Sequence, residues 1–336
     1  MHLADKTQAG VIHLTEAEPG LRAKFELGFA PELLSTNSGT IDVHKIPNKH
    51  LVQTLCITAR SKVGKDEMDA LPNLRLITTG SVGIDHIDFK EARRRGITVC
   101  NVPEYGSAVA EFNIALMMVL SRRLHLAFKQ ITIGNFTLDG LLGRNVEGRV
   151  LGIIGAGNIG IHLARLASSL GMTAICVDPN PRRHDFLHFV TLPQMLAASD
   201  IIAICCPLTP KTTHLIGHEQ FLQMKRGVLI VNTSRGAVLD THALLWALNE
   251  GIVEGAALDV MEGEVLLPPK ELSTLTEEPN PVESQSPAQD LTLMHHPKVI
   301  VTPHMAYYTQ DSLDRIRQVT LENVKGFLAG IPQNIC

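Results

Sequence analysis

Val150-Leu151-Gly152-Ile153-Ile154-Gly155-Ala156-Gly157-Asn158-Ile159-Gly160 is a continuous apolar strand that ends in a GxGxxG turn and passes directly into a helix, Ile159 to Leu170, closed by Gly171. A glycine triplet alone is weak evidence, but between a strand and a helix it is specific. Gly155 permits the tight turn, Gly157 lets the backbone approach a pyrophosphate, and Gly160 lets helix and strand pack closely. The first helical residues, Asn158 and Ile159, present N–H groups and the positive end of the helix dipole to the phosphates. Asp178 ends the next strand, Thr173 to Val177, 18 residues after Gly160. An acid there accepts the hydroxyls of an adenosine ribose and repels a 2′-phosphate, which predicts NAD rather than NADP. Arg182 and Arg183, just beyond it, act in the opposite sense.

Outward from this unit, apolar strand-like runs alternate with helical stretches, the signature of a mainly parallel α/β sheet. Downstream the runs are Ile201 to Cys205, Val228 to Asn232, Gly255 to Asp259 and Val299 to Thr302. Upstream they are Val11 to Leu14, Ile41 to Ile46, Leu51 to Thr58, Leu74 to Thr78 and Ile97 to Asn101, with a helix over Leu21 to Leu27. The link from Ile46 to Leu51 is too short for a helix, so one crossover is trimmed. One long apolar helix is expected from Ala108 to Leu126, and an amphipathic one from Asp311 to Ala329. Between Glu264 and Pro297 the chain is rich in Pro, Glu, Ser and Leu and reads as loop with short helices.

Composition narrows the function. The 336 residues are 45 % hydrophobic and 19 % charged, which suits about two globular domains. A net charge of −4 leaves no basic footprint for nucleic acid. No apolar run approaches the ~18 residues of a membrane span. Met1 to Gly10 carries acid early and has no apolar core, so no secretory signal is expected. Cys56, Cys100, Cys176, Cys205, Cys206 and Cys336 show no CxxC spacing and read as thiols of a reducing compartment. The expectation is a cytoplasmic protein.

The chemistry must come from polar residues at the carboxyl ends of the strands. Arg235 follows Val228 to Val231, Glu264 follows Gly255 to Leu258, and His304 follows Val299 to Val301. Arg offers a planar fork to a carboxylate and a positive charge beside a keto oxygen. His can give that oxygen a proton. A carboxylate beside the imidazole favours the imidazolium and fixes the ring. Glu262 competes with Glu264 for that place. Singly each residue has a bland reading, as a surface cation, a cap or a solvated acid; after three successive strands of a dinucleotide domain they point to reduction of a 2-keto acid.

On these residues the sequence resembles the D-isomer-specific 2-hydroxyacid dehydrogenases over nearly its whole length. The matching segments are Gly80-Ser81-Val82-Gly83-Ile84-Asp85, Asn101-Val102-Pro103-Glu104-Tyr105, Val109-Ala110-Glu111, the glycine turn, Cys206-Pro207-Leu208-Thr209, Asn232-Thr233-Ser234-Arg235-Gly236, Leu258-Asp259-Val260 and Thr302-Pro303-His304. The resemblance implies that Arg235 binds substrate, that Glu264 partners the histidine and that His304 is the acid/base. It implies that the backbone of Ser81, Val82 and Gly83 holds the substrate carboxylate. Cofactor contacts are expected from Cys206, Pro207, Thr212, Thr233, Ser234, Arg235, Asp259 and His304 as well as the glycine turn and Asp178. His304-Met305-Ala306-Tyr307-Tyr308-Thr309 is most similar to the D-lactate dehydrogenase branch, where residues matching Tyr307 and Tyr105 wall a small pocket; packing between domains is the other reading of both rings. The chain departs from the pattern in the trimmed crossover, in a Tyr105 to Glu111 segment one residue shorter, and in a longer stretch from Glu264 to His304.

The fold class expected is α/β, with two Rossmann-like or flavodoxin-like parallel-sheet domains and an interdomain cleft. Residues 103–303 form the NAD-binding domain; 1–102 with 304–336 form the substrate domain. The function expected is reversible, NAD-dependent reduction of a small 2-keto acid, pyruvate to D-lactate first. Glyoxylate, hydroxypyruvate, a bulkier 2-keto acid or phosphite are alternatives, as is an NAD-sensing corepressor-like protein. The helix at 108–126 supports a two-fold homodimer in relatives. His184 and His188, four apart, could share a helix face, but no third metal ligand accompanies them. His295 and His296 read as a solvated loop, and Trp246 as core or interface packing.

Overall fold

Most of the strands are short apolar runs with two faces to cover, the pattern of a parallel sheet between helices. The computed structural model arranges these runs in two all-parallel sheets. It describes residues 11–16, 21–26, 29, 34–38, 41–103, 106–181, 184–262 and 286–336. The chain forms two compact units, 1–105 with 308–336, and 106–307.

The first unit contains β1 (Val11–Glu16), α1 (Leu21–Glu26), β2 (Leu34–Ser38), β3 (Val52–Ile57), α2 (Lys65–Ala70), β4 (Leu76–Thr79), α3 (Phe89–Arg94) and β5 (Thr98–Cys100). Its sheet order is β2-β1-β3-β4-β5, the flavodoxin-like winding. Successive strand residues serve opposite faces: Leu55 and Ile77 belong to one apolar cluster, Cys56 and Leu76 to the other. The strand expected at Ile41 to Ile46 is not one. Asp42 caps a 3₁₀ turn over Val43–Lys45, its carboxylate accepting the His44 N–H at 3.0 Å. The strand lies earlier, at Leu34–Ser38, where Ser, Thr and Asn hide it; an edge position tolerates that polarity. The described part of the link from β2 to β3 contains 3₁₀ turns, at Val43–Lys45 and Lys49–Leu51.

The second unit begins with α4 (Gly106–Ser121) and α5 (Leu124–Thr132). These replace the single helix expected over 108–126, because Arg123 takes a left-handed conformation, φ 51°. Its guanidinium donates to the Gly140 carbonyl at 2.8 Å and pairs with Glu254 at 2.6 Å. Then follow β6 (Val150–Ile154), α6 (Asn158–Ser169), β7 (Thr173–Val177), β8 (His188–Phe189), α7 (Leu192–Ala198), β9 (Ile201–Ile204), α8 (His218–Leu222), β10 (Val228–Asn232), α9 (Thr241–Asn249), β11 (Val253–Leu258), α10 (Ser286–His295) and β12 (Val299–Val301). The order β12-β11-β10-β9-β6-β7-β8 is the Rossmann winding extended by one strand, with its reversal between β6 and β9. Ile154, Ile204 and Ile230 pack on one face, and Ile153, Ala203 and Val231 on the other.

His188 lies in β8, and His184 forms a β-bridge with Leu187, so the two do not share a helix face. His295 is the last residue of α10 rather than part of a loop, and its Nδ1 lies 2.8 Å from the Leu291 carbonyl. Trp246 packs against His218 with the rings tilted by 34°, centroids 3.9 Å apart. A final helix, α11 (Gln310–Leu328), belongs to the first unit. Its Thr309 cap accepts the Ser312 N–H at 3.2 Å, and Leu321 and Val324 join the cluster of Cys56 and Leu76.

Candidate active site

The reversal of winding opens a crevice at the carboxyl ends of β6 and β9, where Ile154 and Ile204 are register partners. On one side the turn 155–157 leads into α6. Gly155 has φ 101°, and a methyl at Gly160 would lie 2.0 Å from the Gly155 carbonyl oxygen, so strand and helix meet with no room for a side chain. Gly157 differs. A Cβ there would meet nothing within 4 Å, leaving open space beside the start of the helix, where the first N–H groups have no acceptor within the helix itself. Asp178 ties the turn together: one carboxylate oxygen accepts the Ala156 N–H at 2.7 Å, the other the Asn180 N–H at 2.7 Å. Each oxygen keeps a lone pair for a further donor. Arg182 and Arg183 lie outside the described residues. A glycine cradle, a helix start and an acid one strand away fit a dinucleotide.

Across the crevice, the segment after β9 is joined to the segment after β10. The Ser234 hydroxyl donates to the Cys206 carbonyl. The Ser234 N–H donates to the Asn232 side-chain oxygen at 3.0 Å, and the Asn232 amide nitrogen donates back to the Arg235 carbonyl at 3.0 Å. Burial pushes the Cys206 thiol up to about 11, so it stands neutral beside the cofactor crevice. The Thr212 hydroxyl donates to the Pro207 carbonyl at 2.7 Å. Thr233 is held from behind by Asn113, a fully buried amide on α4 that donates to the Thr233 hydroxyl at 2.7 Å and the Val109 carbonyl at 2.8 Å. Sequence reasoning missed Asn113; its signal was a lone amide, Phe112-Asn113-Ile114, inside an apolar helix.

Strands β10, β11 and β12 end level with one another, Asn232 opposite Leu258 and Leu258 opposite Val301. Arg235 and His304 each stand three residues beyond those ends. Adjacent strands are about 4.8 Å apart, so the two chain exits lie about 10 Å from each other on one edge. Asp259, 1 % exposed, builds the histidine's turn. Its carboxylate accepts the Thr302 hydroxyl at 2.6 Å, the Met305 N–H at 2.9 Å and the Ala306 N–H at 2.8 Å. Those bonds flank His304, which has φ 55°, a left-handed conformation uncommon outside glycine. Glu262 is engaged elsewhere: its carboxylate lies 2.6 Å from His214 Nε2 and accepts the Thr241 N–H at 3.4 Å. Glu264 and Tyr105 lie outside the described residues, as does all of 263–285; Tyr307 is half-buried at the end of the His304 turn.

In the first unit, the turn after β4 carries Ser81, Val82 and Gly83. The Ser81 hydroxyl bonds the Gly83 carbonyl at 2.7 Å and the Thr79 hydroxyl at 2.8 Å. Ser81 is buried, while Val82 is 36 % exposed. Thus the described expected residues sort into a cofactor crevice, an Arg–His edge and a braced turn. No group of three His, Cys, Asp or Glu among the described residues is placed to hold a metal. A cavity of about 350 Å³, lined by Arg123, His125, Arg144, Glu254 and Lys298 among others, lies at the opposite edge of the second sheet, where β10 to β12 begin.

A family model described as D-isomer specific 2-hydroxyacid dehydrogenase, NAD binding domain, matches residues 114–306. A D-lactate dehydrogenase, kk1H, of Curvularia clavata is 38 % identical over 262 residues, 77 % of this chain and 73 % of that protein. The D-lactate dehydrogenase of Escherichia coli is 34 % identical over 284 residues, 83 % of this chain and 84 % of its own. The crystal structure of D-lactate dehydrogenase from Aquifex aeolicus, complexed with NAD and lactic acid, superimposes with a TM-score of 0.83 at 32 % identity, covering 95 % of this chain and 96 % of that one.

Proposed function

Since the chain belongs to the D-isomer specific 2-hydroxyacid dehydrogenases, NAD-dependent oxidoreductases, we propose that it interconverts pyruvate and D-lactate, with His304 as the acid/base. The observation that carries this reading is the common edge of β10, β11 and β12, from which Arg235 and His304 leave two strands apart. NAD, when bound, supplies the site of hydride loss and gain. Arg235 pairs with the acid and stabilises negative charge on the keto oxygen as it develops. His304 gives that oxygen a proton during reduction and takes it back during oxidation. Glu262 is occupied by His214 and Thr241, which supports Glu264 as the carboxylate for the imidazole. The turn at Ser81, Val82 and Gly83 takes the substrate carboxylate through its backbone, and Tyr105 and Tyr307 wall the pocket.

Exposed apolar side chains cluster along α5 and the segment after it: Phe128, Ile131, Ile133, Phe136, Leu138 and Leu142. A patch of that kind supports a homodimer through this arm. The six cysteines are all free thiols, which fits a reducing, cytoplasmic setting. No helix among the described residues is long and apolar enough to cross a membrane.

The test is NADH oxidation against pyruvate, glyoxylate, hydroxypyruvate, 2-ketoisocaproate and phenylpyruvate, with His304→Gln alongside. Turnover greatest on pyruvate, and lost in the variant while NADH still binds, is expected. A larger preferred acid would move the substrate and keep the mechanism. Tight NADH binding with no turnover on any acid would replace the enzyme by a sensor.

A further inference from the structure

In the turn that follows β4, the Ser81 and Val82 carbonyls are fixed by residues that are not their neighbours in sequence. The Ser81 carbonyl accepts the Val102 N–H at 3.1 Å. The Val82 carbonyl accepts the side-chain amide of Asn101 at 2.8 Å. A trans peptide is planar, with its C=O and N–H pointing opposite ways. Pinning the Ser81 and Val82 carbonyls to the 101–102 segment therefore turns the N–H groups of Val82 and Gly83 to the far side. Successive N–H groups turned to one side form a concavity for an anion.

Asn101 is itself held at both ends of its backbone. Its N–H donates to the Asn334 carbonyl at 3.1 Å. Its carbonyl accepts the Asn323 amide at 2.9 Å. Asn323, fully buried on α11, also donates to the Thr78 hydroxyl at 3.2 Å and accepts the Asn334 amide at 2.8 Å. The chain terminus adds a strand-like pairing to β5, with a bridge from Cys100 to Ile335 and the Cys336 N–H on the Val99 carbonyl at 3.0 Å. A chain of amides, fully buried at Asn323 and half-buried at Asn101 and Asn334, thus runs from the C-terminal segment to a side chain that pins Val82. Such a network keeps its geometry because each member is expensive to leave unpaired.

We propose that Asn101 is a positioning residue for substrate binding: braced by Asn323 and Asn334, its amide orients the Val82–Gly83 peptide so that the Gly83 N–H meets the carboxylate of the keto acid. This rests on the reading that the turn takes that carboxylate. The last residues of the chain then serve recognition as well as folding. Asn101→Ser removes the amide donor, leaving a hydroxyl too short to take its place, and keeps every backbone bond of residue 101. Asn101→Asp keeps the volume and removes the donor.

The experiment is steady-state kinetics of the full chain with NADH on pyruvate and on methyl pyruvate, which lacks the carboxylate. If another acid of the panel turns over faster, it and its methyl ester are used. Loss of one orienting hydrogen bond is expected to raise the KM for pyruvate about five- to tenfold, with kcat and NADH affinity within about twofold. On the ester, kcat/KM should stay at the parent value, so the preference for acid over ester collapses by the same factor. An unchanged KM for the acid in both variants overturns the proposal. Equal losses on acid and ester also overturn it, because they show a general loss of structure. His304→Gln in the parent background reports separately on the acid/base reading: retained turnover there defeats it. A parent that turns over acid and ester equally defeats the reading that the turn takes the carboxylate. An unchanged Asn101 variant beside a dead His304→Gln and a parent that prefers the acid defeats this proposal alone.

Discussion

Gly157→Ala separates what the glycine turn does for folding from what it does for the cofactor. Gly157 has φ −70° and ψ −170°, extended backbone that alanine adopts freely, and an added Cβ meets no protein atom within 4 Å. Alanine gains about 0.4–1 kcal/mol from the smaller entropy of its unfolded chain. It loses a similar amount as a poorer N-cap than glycine. The net is within about 1 kcal/mol, or roughly 2–4 °C in Tm for a domain of this size. The methyl does fill the space beside the helix start. One hydrogen bond to a charged group is worth about 1.5–3 kcal/mol, so the dissociation constant for NADH should rise about 10- to 100-fold. Gly160→Ala should behave in reverse. Its Cβ falls 2.0 Å from the Gly155 carbonyl oxygen, and the cost appears in the melting temperature of the NADH-free protein. Fluorescence titration with NADH and scanning calorimetry of both variants decide the matter. NADH affinity within twofold of the parent for Gly157→Ala, or a Tm as low as that of Gly160→Ala, would refute the reasoning.

Other outcomes follow from single environments. Asp259→Asn offers one acceptor oxygen where the Thr302 hydroxyl and two N–H groups now converge, so kcat should fall at least about tenfold, given that a 1 Å misplacement of a catalytic group can cost about 10²-fold; parent-like turnover would show that the His304 turn needs no such anchor. Burial, with Lys129 and Arg123 nearby, holds the His125 imidazole below its ordinary value, so the unfolded chain binds more protons as pH falls through about 6.5 and stability drops with it. His125→Phe should flatten the fall in Tm between pH 7.5 and 5.5 in scanning fluorimetry, and an unaltered slope would exclude this group. Ile133→Ser with Phe136→Ser, at side chains 80 % and 79 % exposed, should halve the mass found by sedimentation; a parent that already sediments as a monomer would end the dimer reading.

What could be read from sequence was local or periodic. The glycine turn is legible because strand, turn and helix are contiguous and each glycine answers a constraint within a few residues. The strand at Leu34–Ser38 was not legible, since an edge strand of Ser, Thr and Asn lacks the apolar run that marks its neighbours. The break between α4 and α5 was hidden for a different reason. Nothing near Arg123 announces a left-handed residue; what stabilises it is Glu254, supplied by β11. Asn113, Asn101 and Asn323 have the same character, because an amide in an apolar segment says that a partner exists without saying where.

The pair Glu262 and Glu264 shows where topology has to decide. Two residues apart on one loop, they are equivalent to any argument from spacing. His214 comes 48 residues before Glu262, after a different strand, and only a sheet in which β9 and β10 are neighbours and β11 follows brings the two together. The same order explains why Arg235 and His304 could be paired from the succession of strands, while the cofactor crevice's far wall could be named only through the family resemblance. From β9 to β12 the strands lie in the sheet in chain order, so residues after successive strands share an edge. At the reversal that rule fails: β6 sits against β9, with β7 and β8 on its other side. The residues that face the glycine turn therefore come from Cys206 and Pro207, some 50 positions downstream, and it is the winding, more than any motif, that makes them part of one site.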